Sequence, residues 1–556
     1  MASTRRSAGL NRPEHVEPTA VAVLSTATGA RLDLIGTVGA DAAVSGVSLR
    51  AQDIAEGDLF AALPGGRTHG ARFAAEAVER GATAILTDAA GRAELTRVLP
   101  PDAACAVLVH ADPRSVLGGV SARIYGNPSQ RLKLIGITGT SGKTTTAYMV
   151  EAAMMAAGHT VGLIGTVETR VDGVARASSL TTPEAPTLQA LLAVMLEQGV
   201  DVVVMEVSSH ALALGRVDGA HFSLGAFTNL SQDHLDFHPT MHDYFEAKAQ
   251  LFAQGSSTRA VRSVICVDDE WGRRMLDVAR RGDTIAPLTV STTDVPADWH
   301  AGPSTIGSDG SQRVQVTDAS GIAHELTVGL PGRYNVANAT LAVAVAVAAG
   351  APVTTATSAI AEVSVPGRLQ RIDRGQDFLA IVDYAHKPGA LEAVLATLDE
   401  QSRGRIAVVI GAGGDRDSAK RPLMGEVAAR RADLVVVTDD NPRTEDPAAI
   451  RAAVLAGAHA VPDAARRPGV EIVEIGDRRA AIDSAIAWAQ PGDVVLVAGK
   501  GHEAGQEIDG VKHPFDDRVV VAEALAGVLE NTSGAGRCAR VSAVPTTSPP
   551  MRPHVR

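Results

Sequence analysis

A glycine-rich stretch with one lysine, GITGTSGKTTTAY at residues 136–148, has the residue types for binding phosphate. The usual phosphate-binding loop reads G-x-x-x-x-G-K-[ST], but here the glycine before Gly142 is Gly139, which is too close. The apolar segment LKLIGITGT before it predicts a buried parallel strand, and TTTAYMVEAAMMAAG after it predicts a helix. Backbone N–H groups at such a strand–turn–helix junction can bind an anion. We therefore expect an NTP site in which Lys143 reaches the outer phosphates and Thr144 faces Mg²⁺, although a glycine-rich turn with an exposed lysine is the alternative.

Composition limits the class of protein. The chain has 556 residues, so we expect two to four domains and favour three. Aromatic residues make up only 3%, which favours layered α/β packing over an aromatic-rich sandwich. A net charge of -12 argues against a nucleic-acid-binding protein. The three cysteines, Cys105, Cys266 and Cys538, lie far apart and form neither a metal-binding spacing nor a disulfide framework.

No segment predicts export or membrane insertion. The N-terminal residues lack an apolar stretch after their basic residues, and no run approaches the roughly 18 apolar residues of a membrane span. We therefore expect a soluble cytoplasmic protein with neither nucleic acid nor membrane as partner. As separate expectations, its partners are small molecules and it is a monomer.

Alternation of apolar strands and helix-length segments predicts an α/β fold in three domains. The first, residues 25–132 after a mobile leader, is a small N-terminal α/β domain. Residues 133–364 form a central domain with a P-loop ATPase-like parallel sheet. Residues 365–530 form a C-terminal, Rossmann-like, doubly wound domain. Residues 531–556 are rich in Pro, Ser and Thr, and predict a disordered tail.

The order of motifs along about residues 40–525 resembles the Mur ligase family, which also includes folylpolyglutamate synthase. These enzymes join a carboxylate to an amine through an acyl phosphate made from ATP. After GTSGKTT, the matching motifs are TTP (181–183), MEVSSHAL (205–212), TNLSQDHLDFH (228–238), YFEAKAQLF (244–252), GRYNVANATLA (332–342), VPGRLQRI (365–372) and DYAHKPGAL (383–391).

Three further motifs narrow the resemblance to one branch of the family. GAGGDRDSAKRPLM (411–424), DNPR (440–443) and GKGHE (499–503) resemble the enzymes that add the third amino acid of the peptidoglycan stem. The D-N-P-R form is similar to the subtype that adds meso-diaminopimelate. The resemblance implies that the first domain binds the UDP substrate, the second binds ATP and the third binds the amino acid.

The resemblance also implies which residues bind ATP and metal. Lys143, His234 and Lys248 would be catalytic, and Lys248 would be carbamylated by CO₂ (N6-carboxylysine), a reaction that needs the uncharged amine. Two Mg²⁺ ions are expected, with Thr144, Glu206, His234 and Lys248 as ligands. The ATP-binding residues would be Gly139, Thr140, Ser141, Gly142, Lys143, Thr144 and Thr145 of the loop, with Asn338, Arg368 and Asp383. Closure of two domains would complete this site.

From the residues alone, plainer interpretations stay open. Lys248 could be an ordinary lysine on a solvated helix face, and Glu206 could be a strand-end carboxylate in solvent. A loop histidine such as His234 is more often solvent-exposed or a hydrogen-bonding core residue than a metal ligand. D-N-P is common turn chemistry, so the DNPR segment could be an ordinary turn.

The substrate residues follow from the resemblance as well. For UDP-MurNAc-L-Ala-D-Glu they are Leu49, Ala51, Gly66, Arg67, Thr68, Thr181, Thr182, Ser208 and Arg216. Ala51 stands where the family has a serine, which removes one uracil contact and leaves the backbone of Leu49 and Ala51 to line the pocket. For meso-diaminopimelate they are Arg416, Asp440, Asn441, Pro442, Arg443, Gly499 and Glu503, in which a guanidinium fork binds a carboxylate.

The resemblance therefore implies an ATP-dependent carboxylate–amine ligase of peptidoglycan precursor synthesis that uses ATP, Mg²⁺ and meso-diaminopimelate. The L-lysine- or ornithine-adding version of the same ligase is the nearest alternative. Another Mur-type ligase, a P-loop ATPase or GTPase acting on a protein partner, and an inactive nucleotide-binding scaffold are more remote alternatives.

Overall fold

A computed structural model describes residues 12–39, 41–177, 180–282, 285–307, 311–401 and 404–538. The chain divides into two compact units, one up to Ser364 and one from Val365 onward. Among the described residues, no helix is both long enough and apolar enough to cross a membrane.

The first part of the first unit is a small α/β layer. Its five-stranded sheet has the order β2-β7-β6-β5-β4, in which only the β2–β7 pair is antiparallel. Its elements are β1 Thr19–Ala20, α1 Val21–Thr28, β2 Arg31–Ile35, β3 Ala43–Val44, β4 Gly46–Ser48, β5 Asp58–Ala61, α2 Ala74–Glu79, β6 Ala84–Thr87, α3 Ala89–Val98, β7 Cys105–Val109 and α4 Pro113–Ile124.

The leader is held in place from Arg12 onward, so the prediction of a mobile leader as far as residue 25 is wrong there. The Arg12 guanidinium binds the buried carboxylate of Asp58. The backbone N–H groups of Glu14 and His15 both donate to the carboxylate of Glu197, each at 2.8 Å. We call residues 12–18 the N-terminal strap.

A long sheet forms the rest of the first unit. Its strands are β8 Lys133–Thr138, β9 Val161–Ile164, β10 Glu168–Val171, β11 Val174–Ala177, β12 Val202–Glu206, β13 Leu224–Phe227, β14 Arg262–Cys266, β15 Leu288–Ser291, β16 Trp299–Ile306, β17 Gln312–Thr317 and β18 Ala323–Val328. Its helices are α5 Lys143–Ala156, α6 Ala185–Glu197, α7 Ser209–Ala213, α8 Met241–Ala249, α9 Glu270–Gly282, α10 Arg333–Ala348 and α11 Val353–Ala361.

The strand order of this sheet is β11-β10-β9-β12-β8-β13-β14-β15-β16-β17-β18. The seven strands from β9 to β16 run parallel, as predicted, and antiparallel strands extend both edges. The central strands β8 and β12 are almost entirely apolar and buried, which is expected of a parallel sheet covered by helices on both faces. Because they are parallel neighbours, their carboxyl ends open at the same edge, where the phosphate loop begins.

The second unit is a doubly wound sheet of order β19-β20-β24-β21-β22-β23, with separate apolar cores on its two faces. Its strands are β19 Gln370–Arg371, β20 Leu379–Asp383, β21 Ile406–Ile410, β22 Leu434–Val437, β23 Glu471–Glu474, β24 Val494–Ala498, β25 Gln506–Ile508 and β26 Val511–His513. Its helices are α12 Pro388–Gln401, α13 Lys420–Arg431, α14 Pro447–Ala460, α15 Arg478–Trp488 and α16 Asp517–Cys538.

The predicted disordered tail begins too early. Helix α16 continues to Cys538, so the prediction is wrong for residues 531–538. The segment TSGAGRC has no apolar periodicity, which is why it does not predict a helix, but it continues a helix whose earlier turns pack on the sheet. Residues 539–556 lie outside the described part.

Candidate active site

The phosphate loop lies between β8 and α5, as its sequence predicts. Gly139 and Gly142 have φ of 147° and 87°, a conformation that favours glycine. A Cβ at Gly139 would lie 1.9 Å from Thr228 Oγ1, and one at Gly142 would lie 2.2 Å from the Asn338 amide oxygen. The predicted nucleotide residue Asn338 therefore packs directly against the loop. No side chain caps the N-terminus of α5, which leaves its N–H groups for an anion.

The other residues of the phosphate loop are held by the segment after β13 and by helix α8. Thr140 N donates to Asn229 O at 2.9 Å, and Thr140 Oγ1 lies 3.1 Å from the Tyr244 hydroxyl. Ser141 N donates to Asn229 Oδ1 at 3.1 Å. The adjacent Thr145 is buried in the first turn of α5. These bonds fix the loop backbone before any ligand is bound.

Thr144 and Glu206 meet as expected from the parallel pairing of β8 and β12. Thr144 Oγ1 lies 3.0 Å from each carboxylate oxygen of Glu206, which is 1% exposed. In the described part of the chain, the groups that contact this carboxylate are hydroxyls and a backbone amide, and none carries a positive charge. A buried carboxylate is costly without a cation, and an oxygen-only set suits Mg²⁺. These residues therefore fit a metal ion.

Lys143 and Lys248 converge on one backbone oxygen. Lys143 Nζ donates to Gly139 O and Thr140 O at 3.0 Å each, while Lys248 Nζ donates to the same Gly139 O at 2.8 Å. Lys248 is 1% exposed and lies over the Tyr244 ring, so the solvated-face interpretation of this lysine is wrong. The two ammonium groups therefore share one acceptor at the start of the phosphate loop.

His234, the predicted second metal ligand, sits in the left-handed region with φ of 53°. Its Nε2 lies 2.9 Å from Asp233 Oδ2, and its side chain is 43% exposed. The described residues contain no group of three or more His, Cys, Asp or Glu side chains that could hold a metal ion. A site at His234 and Lys248 would therefore need the carbamate oxygens as ligands.

Two histidines that the sequence did not single out surround His234. His210 stacks on Phe237 at 4.2 Å between centroids and lies 4.8 Å from the His234 ring. Burial, with help from His234 and His238, lowers the pKa of His210 to about 4. His238 is buried and lies 2.9 Å from Ser209 Oγ. The sequence pointed to these two residues only in that the motifs MEVSSHAL and TNLSQDHLDFH together contain three histidines.

The predicted muramoyl-peptide residues of this unit are brought together beside Glu206. Thr182 Oγ1 donates to the backbone oxygen of Glu206 at 2.9 Å and accepts from Ser208 N at 3.1 Å. Arg216 lies 3.5 Å from Thr182 O and 2.8 Å from Glu184. Thr181 lies 3.0 Å from Thr166, which in turn binds Glu206. Hydrogen bonds therefore run from the phosphate loop to the substrate residues.

The residues predicted for the nucleotide-sugar end of the substrate lie in the first α/β layer. Ala51 is 2% exposed and belongs to the apolar core, so only its backbone is left for a ligand. Leu49 packs against a second apolar core, Gly66 and Arg67 are exposed, and Thr68 accepts a bond from Arg72 at 3.5 Å.

In the second unit, Asp440, Asn441 and Glu503 surround Lys500, which the sequence analysis did not single out. Lys500 is 0% exposed; its Nζ donates to Asn441 Oδ1 and Gly505 O at 2.8 Å each and lies 3.3 Å from Asp440. Asn441 Nδ2 donates to Glu503 at 2.9 Å. The four side chains are thus tied together, with Gly499 (φ 118°) beside them.

Burial and neighbouring charges act differently on the two carboxylates of this group. Burial acts to raise the pKa of Asp440, but Lys500 and Arg478 outweigh it and the pKa lies below its usual value. Burial, with Asp440, raises the pKa of Glu503. Burial lowers the pKa of Lys500.

The loop that carries Pro442 and Arg443 is fastened to the GGDRD loop. Arg443 has φ of 52°; its Nη1 donates to Gly414 O at 2.6 Å and its Nε lies 3.3 Å from Glu507. Arg421 binds Glu445 through both guanidinium nitrogens, at 2.8 and 2.9 Å. Arg416 is exposed beside this pair of loops. The two predicted carboxylate-binding arginines therefore lie on adjacent loops.

Arg368 and Asp383 also neighbour one another. Arg368 lies 4.5 Å over the Tyr384 ring. Asp383 accepts from Leu369 N at 2.6 Å and Ala385 N at 2.7 Å, and burial raises its pKa.

Family models and relatives agree on what this chain is similar to. The model described as Mur ligase middle domain matches residues 137–346, Mur ligase, glutamate ligase domain matches 367–501, and Mur ligase family, catalytic domain matches 43–125. The chain is 54% identical over 490 residues to the UDP-N-acetylmuramoyl-L-alanyl-D-glutamate--2,6-diaminopimelate ligase of Corynebacterium glutamicum, covering 88% of this chain and 93% of that protein. It is 48% identical over 526 residues to the enzyme of the same name from Streptomyces avermitilis, covering 93% and 98%.

Solved structures agree with this likeness. A structure of UDP-N-acetylmuramoyl-L-alanyl-D-glutamate--2,6-diaminopimelate ligase matches with a TM-score of 0.61 and 33% identity, covering 88% of this chain and 96% of that one. MurF from Acinetobacter baumannii matches with a TM-score of 0.61 at 20% identity, which is a likeness of fold. The α/β architecture predicted from the sequence is thereby confirmed.

Proposed function

This chain belongs to the Mur ligase family, and we propose that within it the chain uses ATP to add meso-diaminopimelate to UDP-MurNAc-L-Ala-D-Glu. The relatives named for this reaction align with nearly their whole length. The observation that carries the proposal is the hydrogen-bonded path from the phosphate loop through Glu206 to Thr181 and Thr182. A ligase needs a phosphate donor and a carboxylate acceptor side by side, and this path joins the residues assigned to each.

In the first step, the D-glutamyl γ-carboxylate attacks the γ-phosphorus of ATP and forms an acyl phosphate, with ADP leaving. The glycine-loop amides and Lys143 would bind the phosphates and stabilise the charge that shifts during transfer. In this structure the Lys143 ammonium is held on carbonyls of the loop itself, within reach of an anion bound there.

Mg²⁺ fits Thr144 and Glu206, and a second ion is proposed at His234 and a carbamylated Lys248. When bound, the ions supply charge neutralisation for phosphoryl transfer. Glu206 and the Lys248 carbamate would orient the phosphate and acyl oxygens by holding their counter-ions.

In the second step, an amine of the diamino acid attacks the acyl carbon. The tetrahedral intermediate loses phosphate and leaves an amide. Arg416 and Arg443 would bind carboxylates of the incoming amino acid, and Glu503 would accept from its distal ammonium. The Asn441 amide, oriented by Lys500, holds Glu503 for that contact.

The test is phosphate release by the purified protein with ATP, Mg²⁺ and UDP-MurNAc-L-Ala-D-Glu, adding meso-diaminopimelate, L-lysine or L-ornithine one at a time. We expect release that needs both the UDP substrate and meso-diaminopimelate. Release with lysine would keep the ligase and overturn the role of Arg443. Release that ignores every amino acid would indicate an ATPase instead.

We also propose a cellular location and an oligomeric state for the enzyme. The substrates are a nucleotide sugar, an amino acid and ATP, so we place the enzyme in the cytoplasm, at a soluble step of cell wall synthesis. We also propose that it acts as a monomer. Sedimentation of the purified protein, with and without substrates, tests that expectation.

A further inference from the structure

Thr166 occupies a position that none of the assigned roles explains. It lies in the short loop between β9 and β10, and it binds the Glu206 carboxylate twice. Its backbone N–H donates to Glu206 Oε1 at 2.8 Å, and its hydroxyl donates to Glu206 Oε2 at 3.0 Å. One residue therefore holds both oxygens of a carboxylate, which fixes the plane of that group as well as its place.

The loop is built for close approach to this carboxylate. A Cβ on the preceding residue, Gly165, would lie 2.6 Å from Glu206 Oε1. A side chain there would push the carboxylate away from the Thr166 amide. Since Thr144 Oγ1 lies 3.0 Å from both oxygens on the other side, the carboxylate sits between two threonines.

The direction of the hydrogen bonds follows from the number of protons. A carboxylate only accepts, so the hydroxyls of Thr144 and Thr166 are the donors to Glu206. Thr166 Oγ1 is also placed as a donor to Thr181 Oγ1 at 3.0 Å, so its one proton lies between Glu206 and Thr181. The Thr166 hydroxyl therefore links the carboxylate to Thr181.

We propose that Thr166 is a positioning residue that holds Glu206 for the metal–ATP site and, through Thr181, couples that site to the muramoyl-peptide site. This inference rests on the proposed function for the identity of the two ligands. Ligand binding at either end strengthens the half-buried hydroxyl chain for the other, because connected charge-assisted hydrogen bonds reinforce one another.

The test compares Thr166→Val with Thr166→Ser, and uses Thr169→Val as the matched control. Valine keeps the shape and the backbone amide but removes the hydroxyl, and serine restores the hydroxyl. Thr169 is a buried threonine three residues further along, on β10. Two binding measurements avoid catalysis: Mn²⁺ binding with ADP followed by EPR, and calorimetry of UDP-MurNAc-L-Ala-D-Glu.

We expect Thr166→Val to weaken both Mn²⁺·ADP and the UDP substrate by about tenfold or more, since bonds to charged groups are the strong ones. The affinities of Thr166→Ser for both ligands should stay within about threefold of wild type, and the affinities of Thr169→Val should equal those of wild type. A purely structural role would instead lower Tm in Thr166→Val while leaving both affinities unchanged, and that result would overturn the proposal. So would a serine variant as weak as the valine variant.

A double-mutant cycle tests the link to Thr181. If the two hydroxyls form one chain, Thr181→Val should cost less affinity for the UDP substrate in the Thr166→Val background than in wild type. Additive losses would overturn the coupling. A wild-type protein that binds both ligands but makes no amide would contradict the proposed function alone, whereas one that binds neither would overturn both.

Discussion

Lys143 and Lys248 donate to the same carbonyl oxygen, that of Gly139, although they lie on different helices. Lys248 is buried and Lys143 is half-buried, so the enclosed lysine is the one proposed to be carbamylated. This burial is a property that the sequence, which gives only a lysine in a helix, does not show.

At this scale we predict that Lys248→Ala loses most of its activity and regains part of it when a short-chain carboxylic acid is added. The added carboxylate would replace the oxygens of the carbamate. The measurement is amide formation with and without the acid, and the exposed Lys512→Ala is the control. Full activity in Lys248→Ala would rule out a carbamate at this position.

Lys500→Met should raise the KM for meso-diaminopimelate about tenfold, because the Asn441 amide oxygen would lose the charged one of its two donors and would be held toward Glu503 by Glu507 N alone. The KM for ATP should change little. Steady-state kinetics with each substrate varied in turn, beside the exposed Lys512→Met, give the comparison. A lower Tm with an unchanged KM for the amino acid would show that Lys500 stabilises the fold and does not affect binding of the amino acid.

At the scale of elements, helix α5 is tied to strand β10 by four side chains, of which the two on the helix are buried and the two on the strand are half-buried. Arg170 binds Glu151 at 2.9 Å and Glu168 at 2.7 Å, and the Tyr148 hydroxyl donates to Glu168 at 2.7 Å. Burial, partly opposed by Arg170, raises the pKa of Glu151 to about 7. The helix that begins at the phosphate loop is therefore fastened to the strand that follows Thr166.

We predict a pH dependence from this group. The pKa of Glu151 is higher in the folded state than its usual 4.5, so the folded state binds that proton more tightly than the unfolded chain. The resulting stability is fully present below about pH 4.5 and is lost as pH rises through 7. The difference in free energy of unfolding, Glu151→Gln minus wild type, should therefore increase by about 2 to 3 kcal/mol from pH 5 to pH 8. Urea unfolding at the two pH values measures this, and a constant difference would contradict it.

Sites whose residues are consecutive in the chain could be predicted from the sequence. Sites formed by residues that are far apart in the chain could not. The phosphate loop was found because strand, glycines and helix are consecutive in the chain. Thr166 and Glu206 are 40 residues apart, and Lys500 and Asn441 are 59 apart, so neither pairing has a local pattern. The family resemblance supplied Glu206 and Asn441, and only the folded arrangement supplied Thr166 and Lys500.

At the scale of the whole molecule, the second unit has its own sheet and two apolar cores. We predict that a fragment from Val365 to Cys538 unfolds cooperatively in urea and makes no product from the three substrates, because the phosphate loop is missing. Circular dichroism during a urea titration gives the result. A fragment without a cooperative transition would show that this unit depends on the first.

The N-terminal strap has a consequence for how the protein is made. The amides of Glu14 and His15 are held by a carboxylate 183 and 182 residues later in the chain, at the end of α6. A ribosome adds about 5–20 residues per second, so roughly 10 to 40 seconds pass between the synthesis of the strap and the synthesis of Glu197, which binds it. During that interval the start of the chain is accessible to proteases and chaperones. The strap can bind only after helix α6, which belongs to the long sheet, has left the exit tunnel.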